Sequence, residues 1–141
     1  MLESCACEQL WKEMNDHCHV ATFVCMSARF SHDEGYFHLH KIRYLKAVAE
    51  TLIGIGDIFR IAIESITQLT DAEIVVRFKV QVRADHTSRV PNLKEADPVL
   101  AKMTVSALNP NLQTQGLELG VLDVTGVEIC GNGTAVYNHH H

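Results

Sequence analysis

Apolar residues recur at every second position in some stretches of this chain and at every third or fourth in others, and each change of period marks a change of element. In residues 19–30, "HVATFVCMSARF", one face collects Val20, Thr22, Val24, Met26, Ala28 and Phe30, and the other His19, Phe23, Cys25, Ser27 and Arg29. That is the pattern of a half-buried strand. "SHDE" follows with Ser31 and Glu34 at capping-box spacing. Leu39, Ile42, Leu45, Val48, Ala49 and Leu52 then recur opposite His40, Lys41, Arg43, Lys46 and Glu50. This predicts an amphipathic helix that stops at Gly54 and Gly56.

Residues 60–80, "RIAIESITQLTDAEIVVRFKV", read as two strands folded back around a polar turn. Phe59, Ile61 and Ile63 point inward on the first. Ile74, Val76, Phe78, Val80 and Val82 do so on the second, against Glu73, Arg77, Lys79, Gln81 and Arg83. The polar loop "ADHTSRVPNLKEA" leads to Asp97 as N-cap and Pro98 at the first helical position. A short apolar stripe of Val99, Leu100, Met103, Ala107 and Leu108 then runs to "NPN". The last strand, "GVLDVTGVEIC", shifts its alternation at Gly126, which predicts a bulge there.

The order strand, helix, strand, strand, helix, strand predicts an α+β, ferredoxin-like βαββαβ sandwich, with a four-stranded antiparallel sheet and two helices on one face. Residues 1–18 form an N-terminal extension, with a short helix around Leu2, Leu10, Trp11 and Met14. Residues 132–141 form a tail whose "NHHH" has the look of a purification tag. In this topology the first and last strands are antiparallel neighbours, which brings Cys18 near Cys130 as a disulfide pair. Cys25 lies roughly 23 Å further along its strand at about 3.3 Å per residue, too far from Cys130 in that register, and so has to pair with Cys5 or Cys7 or stay free. The outward sheet face carries Phe23, Cys25 and Val75 among charges. We expect the extension, anchored by Trp11, or another molecule to cover part of it.

Composition narrows the function. With 141 residues, 47% of them apolar, the chain can bury one core without metal or disulfide support. A formal charge of −5 with no basic stripe lacks the footprint of a nucleic-acid binder. Apolar runs such as "VATFVCM" fall far short of the roughly 20 residues a bilayer requires, so this segment does not insert into a membrane, and "MLESCACEQLW" is not a signal peptide. The five cysteines, Cys5, Cys7, Cys18, Cys25 and Cys130, leave at least one unpaired within a monomer.

Candidate chemistry is thin. On a helix His38 and His40 diverge by about 200° and cannot share one ion. Cys5, Cys7, His17, Cys18 and His19 are metal-binding types without the spacing of a zinc knuckle. The segment "CGNGT" suggests a catalytic thiol as in cofactor-free racemases, but those enzymes need a second matching half with its own cysteine. Asn132-Gly133-Thr134 is an N-glycosylation sequon, which makes Asn132 a modification candidate. Ser27, His86 and Asp123 make a triad only on paper, with no nucleophile elbow. No catalytic residue, metal ligand or cofactor is assigned.

The run "FHLHKIRYLKAVAETLIGIGDIFRIAIESITQLTDAEIVVRFKV", followed by "EADPVLAKMTVSALNPNLQTQGLELGVLDV", resembles SEA and SEA-like extracellular domains, including those repeated in protist surface proteins. The likeness covers about residues 19 to 129 and places the domain at 19–131. It implies a module of a larger surface or secreted protein, used for adhesion, spacing or assembly, with protein or glycan surfaces as partners and self-association into a homo-oligomer as a further option. Some members cleave themselves at a Gly-Ser step in the hairpin turn. Here the turn reads "QLTDAEI", without that step, and Thr70 before Asp71 has no strained glycine carbonyl beside it. The expectation is a non-catalytic extracellular module that does not cut its hairpin. The alternative is an intracellular, cytoplasmic ferredoxin-like domain that binds a ligand or metal and regulates an attached enzyme. A small enzyme with its site between subunits is a third class.

Overall fold

A computed structural model describes residues 20–83, 93–117 and 120–134. Strands β1 (Val20–Phe30), β2 (Ile61–Thr70), β3 (Glu73–Gln81) and β4 (Val121–Thr134) form one antiparallel sheet in the order β2-β3-β1-β4. Helices α1 (Glu34–Leu39), α2 (Lys41–Ile53), α3 (Leu93–Ala101) and α4 (Val105–Thr114) complete the expected α+β, ferredoxin-like arrangement. The core lies where the period-two pattern puts it. Val24, Met26, Ala28 and Phe30 of β1 and Ile74, Val76, Phe78 and Val80 of β3 are buried against Tyr44, Leu45, Val48 and Leu52 of α2 and Leu108 and Leu112 of α4. β1 and β3 are the central strands, so their inner faces are covered on both sides, whereas β2 exposes most of its residues at one edge.

The helical regions differ from expectation in detail. The first is broken at His40, whose backbone (φ −110°, ψ 21°) leaves the helical range. The break rotates the phase, so Leu39 is 79% exposed and Ile42 50%, while Phe37 and Tyr44 turn inward instead. Asp33, rather than Ser31, is the N-cap, its Oδ1 accepting from Tyr36 N at 2.7 Å. Gly54 ends α2 as expected, in the left-handed conformation with φ 73°. Phe59, expected inward, lies in a 3-10 turn (Ile58–Arg60) before β2 and is 88% exposed. The second helical region begins before Asp97, at Leu93, takes Pro98 inside α3, and restarts as α4 with Thr104 as N-cap, its Oγ1 accepting from Ala107 N at 3.2 Å. Pro110 of "NPN" sits within α4 rather than ending it. A proline there forfeits one backbone hydrogen bond, and the buried Leu108 and Leu112 on either side hold the helix to the core.

β4 decides the geometry of the candidate site. It is 14 residues long against 11 for β1, yet Val20 pairs with Thr134 and Phe30 with Val121. The surplus is absorbed at register shifts between Phe23 and Val24, between Cys25 and Ser27, and between Arg29 and Phe30. The middle shift contains Gly126 at φ 62°, the bulge position expected from the broken alternation. The strand also runs past Cys130 to Thr134, into what the sequence presents as tail.

Candidate functional site

The sheet face opposite the helices carries a connected set of polar side chains centred on Arg77. From β3, its guanidinium reaches Glu64 of β2 (3.5 Å), Ser27 Oγ of β1 (3.1 Å), and the Gly126 carbonyl (3.2 Å) and Glu128 carboxylate (2.7 Å) of β4. One side chain therefore ties all four strands together. Gly126 is part of the fit. A Cβ there would stand 3.0 Å from Arg77 Nη1, so the bulge glycine makes room for the guanidinium as well as for its own positive φ. Arg29 bridges Glu73 at 2.9 Å, and Lys79 Nζ lies 4.5 Å from the centre of the Phe23 ring.

A disulfide joins Cys25 to Cys130 beside this network, with Cα atoms 5.5 Å apart. Cys130 is therefore not the partner of Cys18, and Cys18 itself lies outside the described residues. The expected pairing put Cys130 at the end of the last strand. Because β4 continues to Thr134 and gains residues at its bulges, Cys130 falls inside the ladder instead. Glu128 pairs with Cys25, which makes Cys130 the diagonal neighbour on the same face. The separation that excluded Cys25 does not exist in this register. Cys25 is fully buried although it faces away from the helices, and Cys130 is half-buried. Glu64 Oε1 lies 3.6 Å from Cys25 Sγ, a contact and not a hydrogen bond, since a bridged sulfur has no proton to donate. Asn132 lies in β4 paired with Thr22.

A second cluster, not anticipated from the sequence, surrounds the start of the helical region. His32, Tyr36, His40 and Tyr44 are spaced by four, and the rings stack in turn, His32 on Tyr36 at 4.0 Å and Tyr36 on His40 at 4.1 Å. Tyr44 Oη is 2.6 Å from His32 Nδ1, and His40 Nδ1 donates to the Tyr36 carbonyl at 2.9 Å. Burial, with Tyr36 beside it, pushes the Tyr44 phenol up, so it keeps its proton within the hydrogen bond it shares with His32. The four-residue spacing was visible as "H…Y…H…Y", but apolar periodicity gives histidine and tyrosine little weight.

In the hairpin turn, Thr70 Oγ1 accepts from Ala72 N at 3.2 Å, and neither Asp71 nor Ala72 has positive φ. The hydroxyl is thus engaged in holding the turn. An open cleft of about 500 Å³ lies between α2, the 3-10 turn, the end of β3 and α3. Arg60, Arg83 and Lys102 line it over an apolar floor that includes Leu52, Val82 and Val99. Arg60 is fixed by donating to the Gln81 and Val82 carbonyls, and Arg83 pairs with Glu95 at 3.3 Å.

Among the described residues no three His, Cys, Asp or Glu side chains converge, and no helix is long and apolar enough to cross a membrane. His17, His19 and His86 of the metal and triad candidates lie outside the described residues. Ser27 is held by Arg77 on the outer face. No protein-family model and no curated protein matches this chain.

Proposed function

We propose that this chain is a non-catalytic, SEA-like module of a surface or secreted protein, contributing structure and contact with protein or glycan surfaces. The observation that carries the reading is the Cys25–Cys130 bridge, placed inside the β1/β4 ladder. Bridges of this kind form and persist in oxidising compartments and are rare in reducing ones. The sheet face opposite α1–α4, with its Arg77 network, is the surface such a module presents. The turn "QLTDAEI" has no Gly-Ser step and uses Thr70 to hold its own backbone, so the hairpin stays whole. One experiment addresses both parts: non-reducing peptide mapping, with intact mass under denaturing conditions, of protein exported through a secretory pathway. The expected result is one unbroken chain with Cys25 and Cys130 in a single linked peptide. Both cysteines recovered as free thiols, or two fragments meeting between Gln68 and Glu73, would overturn the proposal.

A second reading, an intracellular regulatory domain that binds a ligand, is favoured by the cationic cleft. A body of Leu52, Val82 and Val99 under Arg60, Arg83 and Lys102 suits a small amphipathic carboxylate. Saturable chemical-shift changes at Val82 and Val99 on titration with decanoate, absent with decanol, would favour this reading over the first.

A further inference from the structure

The two ends of the described fold leave it side by side. Val20 opens β1, Thr134 closes β4, and the two residues are paired in the ladder. Antiparallel neighbours pulled from the same end peel apart one pair at a time, because each pair carries the load alone. That is the weakest way to load a sheet. The Cys25–Cys130 bridge crosses this path a few residues in from both ends, and 105 positions of sequence separate its cysteines.

We propose that the bridge makes this fold a length-limiting, redox-gated tether. Under oxidation, tension entering at Val20 passes through Cys25, the sulfur pair and Cys130 to Thr134. Peeling stops at the bridge, and β2, β3 and all four helices lie outside the loaded path. Reduction by a dithiol opens the gate. One reductant thiolate attacks the Cys130 sulfur, the half-buried one of the pair, and the S–S bond breaks with Cys25 leaving as a thiolate that takes up a proton. The reductant's second thiolate then displaces Cys130, closing the reductant's own disulfide. Two electrons and two protons have moved from the dithiol to the protein. The enclosed chain is then free to extend by about 360 Å, at roughly 3.4 Å per residue. This inference goes beyond the proposed function, since it depends on the bridge and the strand order and not on any partner.

The test is single-molecule force extension of the full 141-residue chain with a handle at each end and Cys5, Cys7 and Cys18 changed to Ser to prevent exchange. Intact mass first establishes the oxidised state, and a chain that never forms the bridge refutes the proposal outright. Oxidised molecules should release about 360 Å less chain than the same molecules after dithiothreitol is added, or than the Cys130→Ser variant. Should Cys130→Ser fail to fold, it still releases the full length, and the comparison holds because the readout is length rather than stability. Equal lengths from oxidised and reduced molecules would overturn the proposal.

Discussion

At the scale of single residues, the environment of Cys25 is set by groups distant in sequence. Glu64 lies against its sulfur, and Arg77, 3.5 Å from the same carboxylate, offsets only part of that charge. When the bridge is reduced with Cys25 leaving as a thiolate, the carboxylate opposes the developing negative charge. Glu64→Gln should therefore speed thiol release by dithiothreitol several-fold in native buffer at pH 8; an unchanged rate would show that Glu64 does not act on the sulfur. Tyr44 provides a pH signature. Its phenol titrates higher in the fold than its ordinary value of 10.0, so its contribution to stability is complete below pH 10 and is lost as the pH rises further. Tyr44→Phe removes the hydrogen bond to His32, which should cost about 1 kcal/mol at neutral pH. The variant should also lose stability less steeply between pH 10 and pH 11 than the parent, as urea midpoints across that range would show. Equal slopes would mean that another group governs the alkaline limb.

At the scale of elements, β4 departs most from its expected form and matters most to the site. Its bulges bring Cys130 onto the face of Cys25 and let the Gly126 carbonyl and Glu128 meet Arg77. Gly126→Ala should cost about 1–2 kcal/mol, the usual penalty for a left-handed non-glycine residue, with any displacement of the Arg77 guanidinium added to it. Chemical denaturation measures the loss. Gly54→Ala, also at positive φ but with nothing within 4 Å of the added methyl, is the control that isolates the Arg77 contribution. A smaller loss at Gly126 than at Gly54 would contradict the described fit. In the helices, alternation and capping signals located both regions but not their breaks at His40 and after Ala101. Local spacing records which residues favour a helix, whereas the packing of Phe37, Tyr44 and Leu112 decides where its axis turns.

At the scale of the whole molecule, two outward-facing residues of β1, Phe23 and Cys25, are buried although none of α1–α4, the helices among the described residues, belongs to that face. The bridge and Lys79 account for part of their cover. We expect removal of residues 1–16 to lower the melting temperature or to promote association, measured by calorimetry and sedimentation. A truncated chain unchanged in both would leave the extension with no part in covering the sheet.

The period-two and helical patterns of this chain determined its class, the order of its elements along the chain and the sheet side of its core, because alternation records which side of each strand is apolar. Val24, Met26, Ile74, Val76 and Phe78 were legible as core from alternation alone, and Gly126 was legible as a bulge from the break in it. The tertiary structure alone decided the register between β1 and β4. Register is a property of two strands far apart in sequence, and each bulge shifts every later pairing by one residue. That shift exchanged Cys18 for Cys25 as the expected partner of Cys130. It also assembled the Arg77 network, whose members lie on four separate strands and share no local sequence signal.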